Sequence, residues 1–269
     1  MTSKHTASKG TAVVTGASAG LGKIYADRLA KRGYDLLLVA RRADLLDSVA
    51  TKLAAEHGVK VRTLAADLGA TEGVEKVEAG LLRDTSITML INNAGTSTLA
   101  QVGATTIPQL ENMTDVNVTA LARLSHAALA AFKARNQGTL INIGSVLGFH
   151  TLPISSIYSG TKGYVLNFTR GLQEEVAGTN VVVQLVLPSA TATDIWELSG
   201  VPVSALNPAS VMVAEDCVDA ALAGLDQGEA ITMPSVENMA LFAAYEAARL
   251  ALFAATQNGR PASRYGIAR

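Results

Sequence analysis

The sequence predicts an α/β fold, a parallel sheet covered by helices on both faces. Two observations carry that expectation. Short apolar runs of strand length alternate with longer helical patterns from residue 11 to residue 187, and the first run ends in a glycine-rich turn. Ligands of such sheets bind at the strands' carboxyl ends, and the polar and glycine motifs of this chain fall there. The 269 residues are 49% hydrophobic and 17% charged with a net charge of -1. That balance suits a well-buried protein and offers no broad field for nucleic acid or an acidic membrane. Cys217 is the single cysteine, so no internal disulfide is expected and an intracellular, cytoplasmic setting is favoured. His5, His57, His126 and His150 lack metal-ligand spacing, and no metal is expected. The opening Met1-Thr2-Ser3-Lys4-His5-Thr6 has no apolar signal core, and no run reaches the ~18 apolar residues of a membrane span.

Residues 1–9 read as a flexible polar tail. Thr11 to Thr15 is a buried strand running into Gly16-Ala17-Ser18-Ala19-Gly20-Leu21-Gly22, and the helical spacing of Ile24, Ala26, Leu29 and Ala30 follows. Strand, glycine turn and helix amino end together suit a pyrophosphate, because glycines let the backbone approach and free N–H groups favour the anion. The spacing is G-x-x-x-G-x-G rather than G-x-G-x-x-G. Tyr34 to Ala40 is the second strand. NAD sites usually end this strand in an acid that holds the ribose 2′-OH, whereas here Ala40 is followed by Arg41 and Arg42. Guanidinium groups suit the 2′-phosphate of NADP, with Arg41 as ligand and Arg42 as support; a solvated arginine pair is the plainer alternative. Val59 to Leu64 alternates as a third strand leading to Asp67 and Leu68, where an adenine amino group is to be met; a turn or N-cap role for Asp67 is the alternative.

A short helix covers residues 71 to 83, and Thr88 to Asn92 is the fourth strand, running into Asn93-Ala94-Gly95. Small residues there let a cofactor lie against the backbone. From Pro108 to Arg135 the pattern is one long helix containing Asn117. A buried amide among Val116, Val118 and Leu121 must find partners, which points to a water or a kink near the site, with a capped interior Asn as the alternative. Gly138 to Ile143 is the fifth strand, ending in Gly144-Ser145, and residues 155 to 177 form the helix that carries Tyr158 and Lys162. Residues four apart share a helix face. A free phenol has a pKa of about 10, and an ammonium about 4 Å away lowers it by up to roughly three units. Ser145 would then hold the reacting oxygen by a hydrogen bond, and Tyr158 would move the proton. A tyrosine and lysine at this spacing are common by chance, and the cofactor motifs upstream give the pair its meaning.

Val181 to Leu187 is the sixth strand and Ala230 to Pro234 the seventh. Between them, residues 193 to 214 read as a lid over substrate. Val146, Leu147, Ile195, Trp196 and Leu198 are expected to line a mostly apolar pocket, with His150 at its edge or simply in a loop. Residues 237 to 256 form a last helix whose stripe of Leu241, Tyr245, Ala248 and Leu252 suits either the core or a twin subunit. Glu246 and Arg249 argue against insertion in a membrane.

Taken in order, these residues resemble the short-chain dehydrogenase/reductase family across residues 10 to 195. Thr15 to Gly22 matches the family's T-G-x-x-x-G-x-G, Asn92 to Gly95 its N-N-A-G, and Asn117, Ser145, Tyr158 and Lys162 its catalytic tetrad. The resemblance implies one Rossmann-type domain of seven strands over residues 10–269. It implies hydride transfer between NADP(H) and a small-molecule carbonyl or secondary alcohol, and assembly as a homodimer or homotetramer. It also implies that the glycine turn, Asn93 to Gly95, Tyr158, Lys162, Pro188, Thr191 and Thr193 meet the cofactor. Lys162 would bind the nicotinamide ribose, Asn117 would hold a relay water, and Thr193 would meet the carboxamide. Ser189 stands where the family often has glycine. A catalytically idle NADP(H)-binding sensor is the rival reading, and the intact acid–base set argues against it. A sugar-nucleotide epimerase or dehydratase would generally have a longer substrate domain and a different glycine spacing.

Overall fold

The computed structural model describes residues 9–267, so the expected tail lies almost wholly outside the described residues. Seven parallel strands form one sheet in the order β3-β2-β1-β4-β5-β6-β7, a Rossmann-type arrangement. The first half runs β1 (Thr11–Thr15), α1 (Gly20–Lys31), β2 (Asp35–Ala40), α2 (Ala43–His57), β3 (Val61–Ala65) and α3 (Thr71–Arg83). The chain then returns to the other side of β1 as β4 (Ile87–Asn92), and this reversal opens a crevice at the strands' carboxyl ends. Period-2 alternation sends neighbouring strand residues into opposite layers. Ala12 and Val14 pack with Leu29 of α1 and Leu46 of α2, while Val13 packs with Val77 of α3 and Leu124 on the other side.

The helix expected from Pro108 to Arg135 is not continuous. α4 (Ile107–Thr114) is followed by a π-helical turn at Asp115–Ala120 and then by α5 (Leu121–Arg135). A π-turn carries one extra residue per turn and recurs at functional sites; here it carries Asn117. β5 (Gly138–Ile143), α6 (Ser156–Glu175), β6 (Val181–Val186), α7 (Ile195–Ser199) and α8 (Ala214–Asp226) follow. The seventh strand is only β7 (Ile231–Thr232), shorter than the apolar run suggests, because only Leu185 and Val186 of β6 pair with it.

Beneath the crevice, four side chains form a buried polar network between the sheet and two helices. Asn92 Nδ2 donates to Asn142 Oδ1 at 3.0 Å and to Ser125 Oγ at 3.0 Å, and Asn142 Nδ2 donates to Thr169 Oγ1 at 3.0 Å. The network joins β4, β5, α5 and α6, the four elements whose ends carry the site. Replacing Asn142 with Leu leaves the Asn92 amide and the Thr169 hydroxyl each one partner short in a dry interior. The expected loss is about 1–3 kcal/mol of stability, read as a lower urea midpoint with unchanged slope.

The chain divides into two compact units, with the boundary after Ser235. The second unit holds α9 (Ala240–Thr256), none of whose residues is buried. Its expected stripe lies open, with Leu241 and Leu252 each 69% exposed, and Arg249 pairs with Glu246 at 2.9 Å. No helix among the described residues is long and apolar enough to cross a membrane.

Candidate active site

β1 ends at Thr15, whose hydroxyl is the fastener of the cofactor side. Thr15 Oγ1 accepts the backbone N–H groups of Asn93 and Ala94, each at 3.0 Å, and donates to the Ile91 carbonyl. Asn93 Nδ2 returns a bond to the Thr15 carbonyl at 2.9 Å. The glycine turn and the Asn93-Ala94-Gly95 turn are thereby held side by side. Gly16 turns the chain with a left-handed φ of 67°. A side chain at Gly22 would run into the Gly16 carbonyl oxygen, so α1 sits closer to the turn than any larger residue permits. Ala19 begins α1 without a side-chain cap, which leaves the helix's first N–H groups facing the turn formed by Ser18 to Leu21. Among the described residues this is a cradle of the kind a pyrophosphate needs.

Arg41 and Arg42 are exposed at the end of β2, and among the described residues no hydrogen bond or ion pair occupies their guanidinium groups. They fit a 2′-phosphate. Asp67 is exposed, and its Oδ1 accepts the Gly69 N–H at 3.0 Å in a local turn, while Leu68 is buried. The turn role weighed for Asp67 is therefore present, and its second carboxylate oxygen is not engaged by it.

The side chains expected to react meet where β5 and α6 face each other. Lys162 is only 6% exposed, and its Nζ donates to the Ile143 carbonyl at 2.9 Å and lies 5.7 Å from the centre of the Tyr158 ring. The Ser145 hydroxyl lies close enough to the Tyr158 phenol to lower its pKa, and Ser145 Oγ accepts the Leu147 N–H at 3.1 Å. Asn117 is pinned on three sides. Its Nδ2 donates to the Thr96 carbonyl at 2.9 Å and to Thr161 Oγ1 at 3.1 Å, and its Oδ1 accepts the Thr96 N–H at 2.9 Å. Gly95 brings the loop after β4 against both: a Cβ there would lie 3.4 Å from Asn117 Oδ1 and 3.9 Å from Lys162 Nζ.

The expected depression of the Tyr158 pKa is not what this geometry produces. Burial pushes the phenol up to about 12, offset in part by the Ser145 hydroxyl, and burial pulls the Lys162 ammonium down to about 8. The lysine amine is itself drawn toward neutrality and is spent on the Ile143 carbonyl, so loss of water outweighs its attraction for a phenolate. The phenol holds its proton through neutral pH, which is the state of a proton donor.

Over the crevice, Val146 and Leu147 lie half-buried in a 3₁₀ turn, while His150 is exposed beyond it. Pro188 receives the Val146 N–H on its carbonyl at 3.0 Å, and Thr191 is buried with its hydroxyl on the Ser189 carbonyl. Trp196 Nε1 donates to the Thr191 carbonyl at 2.9 Å, anchoring α7, and Leu99 N–H donates to the Ser199 carbonyl at 2.9 Å. Thr193 reaches back to the glycine turn, 3.5 Å from where a Cβ on Gly20 would stand. Ile195 and Trp196 are half-buried and Leu198 is exposed. A separate cavity of about 290 Å³ lies at the amino end of β6, beside Val181 and Gly178, and has no part in this chemistry. Sequence reasoning missed the hydroxyls of Thr15, Thr96 and Thr161 as fasteners. The one available signal was a polar residue ending an otherwise apolar strand, which Thr15 gives.

Residues 10–200 match the family model described as short chain dehydrogenase. A very-long-chain 3-oxoacyl-CoA reductase of Danio rerio is 36% identical over 208 residues, 76% of this chain and 65% of the relative. The Homo sapiens protein of that description is 35% identical over 191 residues, 70% of this chain and 61% of the relative. The chain thus spans under two thirds of the length of these curated relatives. Among solved structures, a short-chain dehydrogenase from Sphingobium yanoikuyae in complex with NADPH is 40% identical with a TM-score of 0.92, covering 95% of this chain and 100% of its own. A bulky-bulky ketone specific alcohol dehydrogenase from Comamonas testosteroni is 35% identical with a TM-score of 0.87, covering 95% of this chain and 98% of its own.

Proposed function

This chain belongs to the short-chain dehydrogenase family of oxidoreductases, and we propose that it reduces the carbonyl of a mostly apolar small molecule with NADPH, or oxidises the matching secondary alcohol. The observation that carries the reading is the meeting of Ser145, Tyr158 and Lys162 beside Gly95 at the carboxyl ends of β4 and β5. NADPH fits the cradle formed by the uncapped start of α1, Gly22 and the two free guanidinium groups, and the Sphingobium yanoikuyae relative was solved with that cofactor. When bound, it supplies the hydride for the carbonyl carbon. Ser145 steadies the carbonyl oxygen by a hydrogen bond, and Tyr158 gives that oxygen its proton as negative charge develops on it. Lys162, below its pKa of about 8, stabilises the phenolate left behind. Asn117, held by Thr96 and Thr161, fixes the π-turn against α6 and keeps an amide near the route by which the proton returns. An idle sensor would need no such set.

The lone thiol, Cys217, is buried, which fits the cytoplasmic reading, and a homodimer or homotetramer is the assembly we expect. NADPH oxidation against a panel of aliphatic and aromatic ketones and aldehydes, with NADH alongside, tests the proposal. Turnover with NADPH supports it; saturable NADPH binding without turnover of any carbonyl would favour the sensor. Arg41→Ala separates the cofactor assignment from the chemistry. A charge-assisted bond to a phosphate contributes about 1.5–3 kcal/mol, so kcat/KM for NADPH should fall by roughly tenfold to a hundredfold while that for NADH stays put. No loss with either cofactor would make Arg41 a surface charge.

A further inference from the structure

We infer that this site takes uncharged, bulky apolar ketones and disfavours carbonyl substrates carried on an anionic nucleotide, coenzyme A thioesters above all. The inference rests on the carbonyl-reducing reading and names the charge class of its substrate. A carbonyl that reaches Tyr158 and Ser145 passes the loops that follow β4, β5 and β6, since those strands end at the crevice. Residues 84–122, 136–161 and 171–248, which contain all three loops, hold no lysine or arginine. The cations between these segments lie on helices: Arg123, Lys133 and Arg135 on α5, Arg170 two turns beyond Lys162 on α6, and Lys162 itself, which is buried and committed to the Ile143 carbonyl and the Tyr158 ring. Glu111 and Asp115 beyond the loop after β4, and Asp194 and Glu197 at α7, are partly or fully exposed.

The other exposed side chains of these loops include neutral polar ones such as Gln101, Thr151, Ser204 and Asn207, the imidazole of His150, and several large apolar groups. Phe149 is 42% exposed, Leu152 43% and Leu198 63%, and α7, which carries Leu198, is tied to the loop after β4 through the bond between Leu99 and Ser199. Within the first unit, the exposed arginines at the strands' carboxyl ends are Arg41 and Arg42, after β2. The crevice is therefore divided by charge: cations stand where the nucleotide cofactor is read, and acids with apolar groups stand where the second reactant enters. A coenzyme A thioester brings its own phosphates, which bind well to arginine or lysine and find neither on these loops. Bulky apolar groups on both sides of a ketone lose water against Phe149, Leu152 and Leu198 without any such requirement.

The test uses the full chain with NADPH and two thioesters of one acid, 3-oxo-3-phenylpropanoate: the coenzyme A thioester and the N-acetylcysteamine thioester. Both present the same reacting carbonyl and the same sulfur, and only the first carries phosphates. Like charges act within about 8 Å at physiological salt, so the neutral thioester is expected to have a kcat/KM at least about tenfold higher at low ionic strength, with the gap narrowing as salt is added. Glu197→Lys should raise turnover of the coenzyme A thioester and leave the neutral one unchanged. Equal or better use of the coenzyme A thioester overturns the inference while leaving carbonyl reduction standing. Turnover of simple ketones with neither thioester reduced overturns its basis in charge. Absence of turnover with every carbonyl, including 1-phenylpropan-1-one, overturns the underlying reading and the inference with it.

Discussion

Tyr158→Phe is expected to lower kcat for ketone reduction by about a hundredfold to ten-thousandfold, the range for removing a positioned acid, while NADPH still binds. The substitution removes one oxygen from a ring that is held in place by its own helix. Ser145 keeps the Leu147 N–H, so the fold should stand. Stopped-flow traces of NADPH oxidation, beside fluorescence titration of the bound cofactor, separate the two effects. A variant that turns over near the parent rate would remove Tyr158 from the chemistry, and one that fails to bind NADPH would make it a binding residue.

Lys162→Met is expected to abolish most activity and at the same time to stabilise the protein. Burial holds the lysine at about 8, whereas in an unfolded chain it titrates near 10.5. Between those values the unfolded chain holds a proton that the folded chain has released, so stability rises with pH through this window. That contribution is lost as pH falls through about 8, and at pH 7 the folded protein carries a buried ammonium. Methionine fills similar volume without the charge. After allowing for the lost bond to the Ile143 carbonyl, a gain of order 2 kcal/mol is expected at pH 7, shrinking toward pH 10. Urea unfolding at both pH values measures it. A variant less stable than the parent at pH 7 would show that the bond to Ile143 outweighs the cost of burying the charge.

The order of strands and helices was legible because short, wholly apolar runs such as Ala12-Val13-Val14, buried on both faces, alternate with longer stretches of helical period. The site was legible where chemistry demands one residue type at one spacing: glycine where α1 presses on the turn, tyrosine and lysine one helical turn apart. The π-turn at Asp115–Ala120 was legible only as a kink expected at the buried amide of Asn117, because the apolar residues around it still permit one helical pattern from Pro108 to Arg135. The direction of the Tyr158 shift escaped. Sequence shows which charge is near a phenol but not how much water both have lost, and here the lost water decides. The hydroxyls of Thr15, Thr96 and Thr161 escaped because a threonine that bonds to a loop far along the chain looks like any other threonine.

Trp196 is the only tryptophan in the chain, and its indole N–H is fixed to the Thr191 carbonyl on the segment that reaches Thr193. Any rearrangement of α7 must break or keep that one bond. The indole emission of the protein therefore comes from a single place, and in the proposed function it is the place where the second reactant enters. Reduced nicotinamide absorbs where indole emits, so quenching would gauge the distance between the two rings. The molecule carries its own optical ruler across the crevice, with no label to attach.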